Sequence, residues 1–387
     1  GLRFAAAAGA VAVSRMGAVP SLPSLHDVEE VEGGGKACAS GSGTCARPLG
    51  PAASAPGPAH GVAAEGPFPM KFASRLNSMS DRIDLWGGAD DVLGWVARQG
   101  TVKGLDLVDF NFPQHIGPGK VTVAQAKEAL AAAGLKAGAV AMRYPKEFRV
   151  GAFSNPDAAL RRKAIDLTIE AGQWAKALGA GELVVWSAYD GYDYSLHADY
   201  DAAWRHTVEA FREVCDAHPD LKVSLEHKPT DENTRFYIVN SAGAAKLLVH
   251  EIGRPNMGIT LDVGHCLMAG ENPAQSVALL GSTLFGVHLN DGHSRLGAED
   301  GLMLGTVHPV MALELMYWLQ RVGYTGHLYM DTFPRNEDPV RECEFNIRRA
   351  KSLWKKAERL RAAGVDTRLG THDAMGALEL LEEQGVL

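Results

Sequence analysis

No run of about 18 consecutive apolar residues occurs in this 387-residue chain, so no membrane-spanning helix is expected. Cysteine is sparse. The five, Cys38, Cys45, Cys215, Cys266 and Cys343, are too scattered for a disulfide framework and suit a reducing compartment, the cytoplasm. Positive charge is in deficit as well. With 38 Lys and Arg against 46 Asp and Glu, the formal charge of -8 argues against a nucleic-acid backbone as the main partner. No GxGxxG follows the first strand-like run, which removes the usual sign of a dinucleotide-binding open sheet. What is present, 46% hydrophobic and 22% charged residues, is the composition of a soluble globular protein.

Residues 1–66 differ from the rest. They are rich in Ala, Gly, Ser and Pro, and such a segment buries too little apolar surface to fold alone. They read as a disordered extension. A remnant of an organelle transit peptide is the alternative, suggested by Arg3 and Arg15 in an Ala/Ser-rich setting and opposed by Asp27, Glu29, Glu30 and Glu32.

From residue 67 to 387 the pattern becomes regular. Strand-like runs are predicted at Phe72–Asn77, Gly104–Phe112, Ala137–Arg143, Leu183–Ser187, Lys222–His227, Gly258–Asp262, Phe285–Asn290 and His327–Thr332. Helices are predicted between them at Asp90–Gln99, Val121–Ala133, Pro156–Leu178, Ala198–Ala217, Ser241–Ile252, Pro273–Leu280, Pro309–Val322 and Asp338–Arg361. Asn155-Pro156 and Asn272-Pro273 mark helix starts, and Gly134, Gly179 and Gly323 mark ends. Eight strand–helix units over about 290 residues predict a (β/α)8 TIM barrel. Extra C-terminal helices follow, the last over roughly Asp373–Gln384.

A barrel of this kind carries its functional groups at the carboxyl ends of the strands. KVSLEHKP ends strand five on Glu226 and Lys228, two apart and therefore on one side of the sheet. Opposite charges at the mouth of an apolar strand are costly without partners. ITLDVGH ends strand six on Asp262, with His265 three residues on. FGVHLND ends strand seven on His288, Asn290 and Asp291, and HLYMDTFP ends strand eight on Asp331. Any one of these acids alone is more often a helix cap or a solvated residue. Four strands in succession carrying a ligand at one level is different, because independent caps have no reason to align. Glu226, Asp262, His288 and Asp331 are therefore expected to converge on a metal. Three carboxylates and one imidazole make a hard set suited to Mn2+, Mg2+ or Co2+, without the thiolates of a structural zinc site. His265, with Glu299 and Asp300 from the loop after strand seven, is the candidate set for a second metal sharing Asp262. The bland reading of Glu299 and Asp300 is a solvated turn. Lys228 beside them offers a point charge to a substrate oxygen.

These residues resemble the xylose isomerase-like family of TIM barrels. VSLEHKPTDENTRFY is similar to that family's E-x-K-P motif, and VVWSAYDGYDYSLHADY to its Trp-containing strand-four motif. LDVGHCLMAG stands in the place of the carboxylate-x-x-His, VHLND in that of the metal-binding Asp or His followed by Asn, and YMDTFP in that of the last-strand Asp. The likeness spans about Phe72 to Arg361 and is strongest from residue 183 onward. His288, rather than Asp, brings it nearer to L-rhamnose isomerase-type members.

The resemblance implies that Glu226, Asp262, His288 and Asp331 hold one metal and that Asp262 and His265 hold a second. It implies that Lys228 contacts the substrate's carbonyl-side oxygen, that Trp186 forms an apolar wall behind the sugar, and that His115 in DFNFPQHI matches the ring-opening histidine. The family's Asp-x-Asp after strand seven is replaced here by the adjacent Glu299–Asp300. Both reach one ion only if the backbone turns sharply, which Gly301 allows. The implied activity is aldose–ketose isomerisation of an unphosphorylated sugar, with hydrogen moving between C1 and C2 and two metals per subunit. The implied assembly is a homodimer or homotetramer. A ketose 3-epimerase is the alternative, opposed by Lys228 and by Asp rather than Glu at 331. A phosphodiesterase like endonuclease IV is opposed by the acidic charge and the hard ligands. A barrel that has kept its ligands and lost catalysis is opposed by the intact Glu226, Lys228, Asp262 and His265. Loops after strands one to three are expected to select the sugar, with Asn77, Asp109 and Arg143 as candidate contacts.

Overall fold

A computed structural model describes residues 68–231, 233–294 and 299–387; the extension expected over 1–66 lies outside the described residues. Eight parallel strands close into a barrel: β1 (Phe72–Arg75), β2 (Leu107–Phe112), β3 (Lys136–Arg143), β4 (Glu182–Trp186), β5 (Lys222–Glu226), β6 (Met257–Asp262), β7 (Leu284–Leu289) and β8 (Leu328–Met330). They pair in chain order, and β8 pairs with both β7 and β1. Helices α1 (Val92–Gln99), α2 (Val123–Ala133), α3 (Ala158–Leu178), α4 (Tyr200–Ala217) and α5 (Ala242–Ile252) follow the first five strands. Next come α6 (Val263–Ala269), α7 (Pro273–Leu280), α8 (Pro309–Arg321), α9 (Pro339–Ala362), α10 (Val365–Gly370) and α11 (Ala374–Glu383).

The local chemistry explains these boundaries. The side chains of Asp91, Asp157, Asp199, Ser241 and Asn272 accept backbone N–H groups in the first turns of their helices. Thr122 and Gln125 close a reciprocal capping box on α2. Gly134 and Gly179 end α2 and α3 in left-handed backbone that a side chain would strain.

The outer faces of the strands meet the helices in one continuous apolar layer. It includes Leu183 and Val185 of β4, Phe211 and Val214 of α4, and Leu248 of α5. Each such side chain, fully buried, contributes about 1.5–3 kcal/mol. Parallel strands covered on both faces read as near-continuous apolar runs, and β2 is buried at every residue. Inside the barrel the polar residues satisfy one another. Ser224 Oγ donates to Glu182 at 2.5 Å and accepts from Thr260 Oγ1 at 2.7 Å. Asp109 of β2 meets His327, next to β8, at 2.9 Å across the intervening β1.

Several elements differ from expectation. The strand expected from Gly104 starts at Leu107, and β8 is only three residues long. The α6 turn follows β6 directly, because Asp262 both ends the strand and caps the helix. A short antiparallel ribbon pairs Gly191–Tyr192 with Phe236–Tyr237, joining the loops after β4 and β5. It is too short to show in an alternation pattern. No helix among the described residues is long and apolar enough to cross a membrane.

Candidate metal centre

The carboxyl ends of β5 to β8 bring Glu226, Asp262, His288 and Asp331 together, with one ligand atom of each lying within 4.8 Å of the others. Strand register does this. Asp262 pairs directly with His288, and His288 with Tyr329, two residues before Asp331. His288 Nδ1 lies 3.4 Å from Glu226, 3.8 Å from Asp262 and 3.9 Å from Asp331. All four residues are buried, and neither His288 Nδ1 nor Asp331 Oδ1 has a hydrogen-bond partner.

Three carboxylates at this depth repel one another and have lost their water. Burial, with the carboxylates of Glu299, Asp331 and Glu226, pushes Asp262 up to about 7 against the pull of His265. Burial opposes charge on His288, yet Glu226, Asp331 and Asp262 overcome it and hold the imidazole up at about 10. The centre demands positive charge. A divalent cation would supply it, and Nδ1 and Oδ1, both without a hydrogen bond, are donors of the kind such an ion accepts.

Asp262 belongs also to a second group, with His265 and Glu299. Its Oδ1 accepts the His265 N–H at 2.9 Å, capping α6, and Asn290 Nδ2 donates to both of its oxygens at 3.3 Å. Asn290 Oδ1 in turn accepts the Gly264 N–H at 2.6 Å, so Asn290 orients the shared carboxylate. His265 Nδ1 lies 2.9 Å from the His227 carbonyl. A carbonyl only accepts, so Nδ1 carries the proton and Nε2 is left as the ligand atom, 3.2 Å from Glu299 Oε2.

Glu299 and Asp300 separate in the structure. Glu299 joins the second group, whereas Asp300 Oδ2 accepts the His293 N–H at 2.7 Å and is not in it. The turn expected at Gly301 is present, with φ +61 and the Phe333 ring packed where a Cβ would sit. It brings in only the first of the two acids.

Lys228 Nζ meets Glu299 at 2.5 Å and Asp231 at 3.0 Å. Burial works against its charge, but these two carboxylates hold its pKa above the ordinary lysine value. Trp186 stands beside it, with the ring 5.7 Å from Nζ and 4.2 Å from the Arg143 guanidinium. These groups line a cleft of about 560 Å3 over the barrel mouth.

His115 lies deeper. Its Nδ1 accepts the Asn111 N–H at 3.0 Å, so Nε2 bears the proton and donates to Asn77 Oδ1. Burial and the nearby Arg143 and Arg75 charges push it down to about 3, which keeps the ring neutral. Asn77, and not His115, lines a neighbouring hollow that shares Arg75, Arg143 and Trp186 with the cleft. Arg143 lines both, but Asp109 faces the barrel interior with His327.

A further group, His227, Cys266 and Glu271, brings ligand atoms within 4.8 Å of one another, with His227 and Cys266 next in sequence to Glu226 and His265. Both Glu271 oxygens accept the Ala242 N–H at the start of α5. The roles of Asn290 and Asp231 escape sequence reading. Asp231 leaves one faint trace, an acid three residues after the lysine.

A family model for the xylose isomerase-like TIM barrel matches residues 97–356. The chain belongs to that family. A xylose isomerase of Thermus thermophilus is 28% identical over 222 residues, 55% of this chain and 57% of that protein. The chain thus matches little more than half of that relative's length. Among solved structures, a D-psicose 3-epimerase of Clostridium cellulolyticum H10 is similar with a TM-score of 0.55 and 16% identity, over 74% of this chain and 99% of that one. An L-ribulose 3-epimerase gives 0.59 and 15%, over 76% and 98%. A family 2 AP endonuclease of Brucella melitensis gives 0.55 and 18%, over 72% and 98%. At these identities the likeness is one of fold. Within the xylose isomerase-like family, function is argued from the ligands at the strand ends.

Proposed function

We propose that this protein is a divalent-metal-dependent sugar isomerase that interconverts an aldose and a ketose by moving hydrogen between C1 and C2. One observation carries the reading: two ligand groups share Asp262, and a charged lysine stands against the second of them. Glu226, Asp262, His288 and Asp331 would hold one ion and Asp262, His265 and Glu299 the other, with Mn2+, Mg2+ or Co2+ as the suited metals. When bound, such ions hold neighbouring sugar oxygens and stabilise negative charge as it develops on them.

The chain's own residues do the rest. Lys228 Nζ, fixed by Glu299 and Asp231, keeps a third N–H to donate to the carbonyl-side oxygen of the sugar. Trp186 walls the cleft with apolar surface and limits water near the reacting carbons. Neutral His115 holds Asn77 by its oxygen and leaves the Asn77 amide N–H to a sugar hydroxyl that extends into the neighbouring hollow. A homodimer or homotetramer belongs to this reading, and light scattering tests it.

Incubation with aldoses and ketoses and Mn2+ or Co2+, read by chromatography, tests the reaction. Lys228→Met is expected to lower kcat by about 100-fold or more while bound metal stays the same. Full activity in that variant removes Lys228 from the mechanism. Conversion of fructose or tagatose at C3 with no C1–C2 product replaces the isomerase reading by the ketose 3-epimerase one, whose solved examples share this fold.

A further inference from the structure

Arg143 is the last residue of β3 and reaches the same cleft. Of the other cations lining it, Arg75 meets Asp331 at 3.7 Å, Lys228 meets Glu299 and Asp231, and Arg235 donates to the Asp231 carbonyl; Arg335 borders the cleft as well. Among the described residues the Arg143 side chain meets no carboxylate within the 4.0 Å of an ion pair and makes no hydrogen bond, and its buried Nε has no partner. Its one specific contact is the 4.2 Å stack on Trp186. Stacking on an indole leaves the in-plane N–H donors of a guanidinium free to meet another group. Among the described residues this part-buried guanidinium is left with the Trp186 ring and the longer-range attraction of buried Glu226, neither of which occupies its N–H donors.

Resting on the isomerase reading, we propose that the substrate bears an anionic group, a carboxylate or a phosphate, remote from its reacting carbons, and that Arg143 receives it. The flat guanidinium fork presents paired N–H groups that match either anion bidentately. Trp186 sets the spacing. Its ring lies beside both Lys228 Nζ and Arg143, so one small molecule lying along the indole reaches both cations. Arg143 also borders the neighbouring hollow with Arg75, Asn77 and Gln114, which leaves room for a terminal group beyond the sugar carbons. A neutral sugar offers this group hydroxyl acceptors but no countercharge.

Calorimetry on the metal-loaded full chain tests this with three probes of equal chain length: a neutral alditol, its 6-phosphate, and a 6-uronate. The wild type is expected to bind at least one anionic probe about 10- to 100-fold more tightly than the alditol. Arg143→Gln is expected to bring the three affinities together, and Arg143→Lys to restore part of the preference. The two anionic arms tell carboxylate from phosphate. Equal binding of all three by the wild type overturns the proposal. So does an anion preference that survives in Arg143→Gln, since it would come from the metals or another cation. The outcome is separate from that of the isomerase reading. A chain that isomerises neutral sugars and ignores the anions refutes this subsite alone, whereas Arg143-dependent anion binding without C1–C2 turnover refutes the reaction alone.

Discussion

A divalent cation entering the metal centre must displace protons, and its affinity should therefore climb with pH. In the metal-free protein Glu226, Asp331 and Asp262 outweigh burial and hold His288 at about 10. Asp262 and Glu299 likewise outweigh burial and hold His265 at about 9. Below these values a ligating imidazole gives up one proton per metal, so affinity at each site should change about tenfold per pH unit between about pH 7 and 9. The dependence steepens below about 7, where burial keeps the shared Asp262 protonated as well. Calorimetric titration with Mn2+ in buffers of different ionisation enthalpy counts the protons directly, and about two for two metals are expected near pH 8. The stability of the metal-free fold runs the opposite way. Both histidines are raised above their ordinary 6.5, so the stabilisation they give the metal-free fold is complete below that value and lost as pH rises through about 9 and 10. The melting temperature of the metal-free protein should fall over that range, and that of the metal-loaded protein should fall less, because the cation replaces the protons. Metal affinity flat from pH 6 to 9, with no proton released, would refute a centre in which His265 and His288 are ligands.

Two further outcomes follow from the shared carboxylate and its loop. Asp262→Asn keeps an oxygen for the α6 cap and should leave metal-free stability within about 1 kcal/mol, yet it should abolish both metals; elemental analysis showing one ion retained would mean that Asp262 is not shared. Glu299→Gln should lose the second metal while Asp300→Asn keeps it, because only Glu299 faces His265. Equal loss in both variants would mean that the loop rearranges on binding.

The legible part of this protein was its local chemistry. The period of the strands, the capping Asp, Ser, Thr and Asn residues and the terminal glycines act within a few residues of one another, and they determine eight strand–helix units whatever lies beyond. Glu226 and Lys228 share a side because a strand repeats every two residues, and four strand ends in succession carrying acids or imidazole placed the centre at the barrel mouth. Sequence reading went less far where an outcome depends on which distant group a side chain meets. Adjacent acids at 299 and 300 look equivalent in sequence, and only the loop path turns one to His265 and the other back to a backbone N–H. The proton on His115, its shielding behind Asn77, the two acids that hold Lys228, and the stack of Arg143 on Trp186 arise between strands separated by tens of residues. Barrel closure, strand register and the packing of loops over the mouth bring those partners together, and these are properties of the whole chain rather than of any short stretch of it.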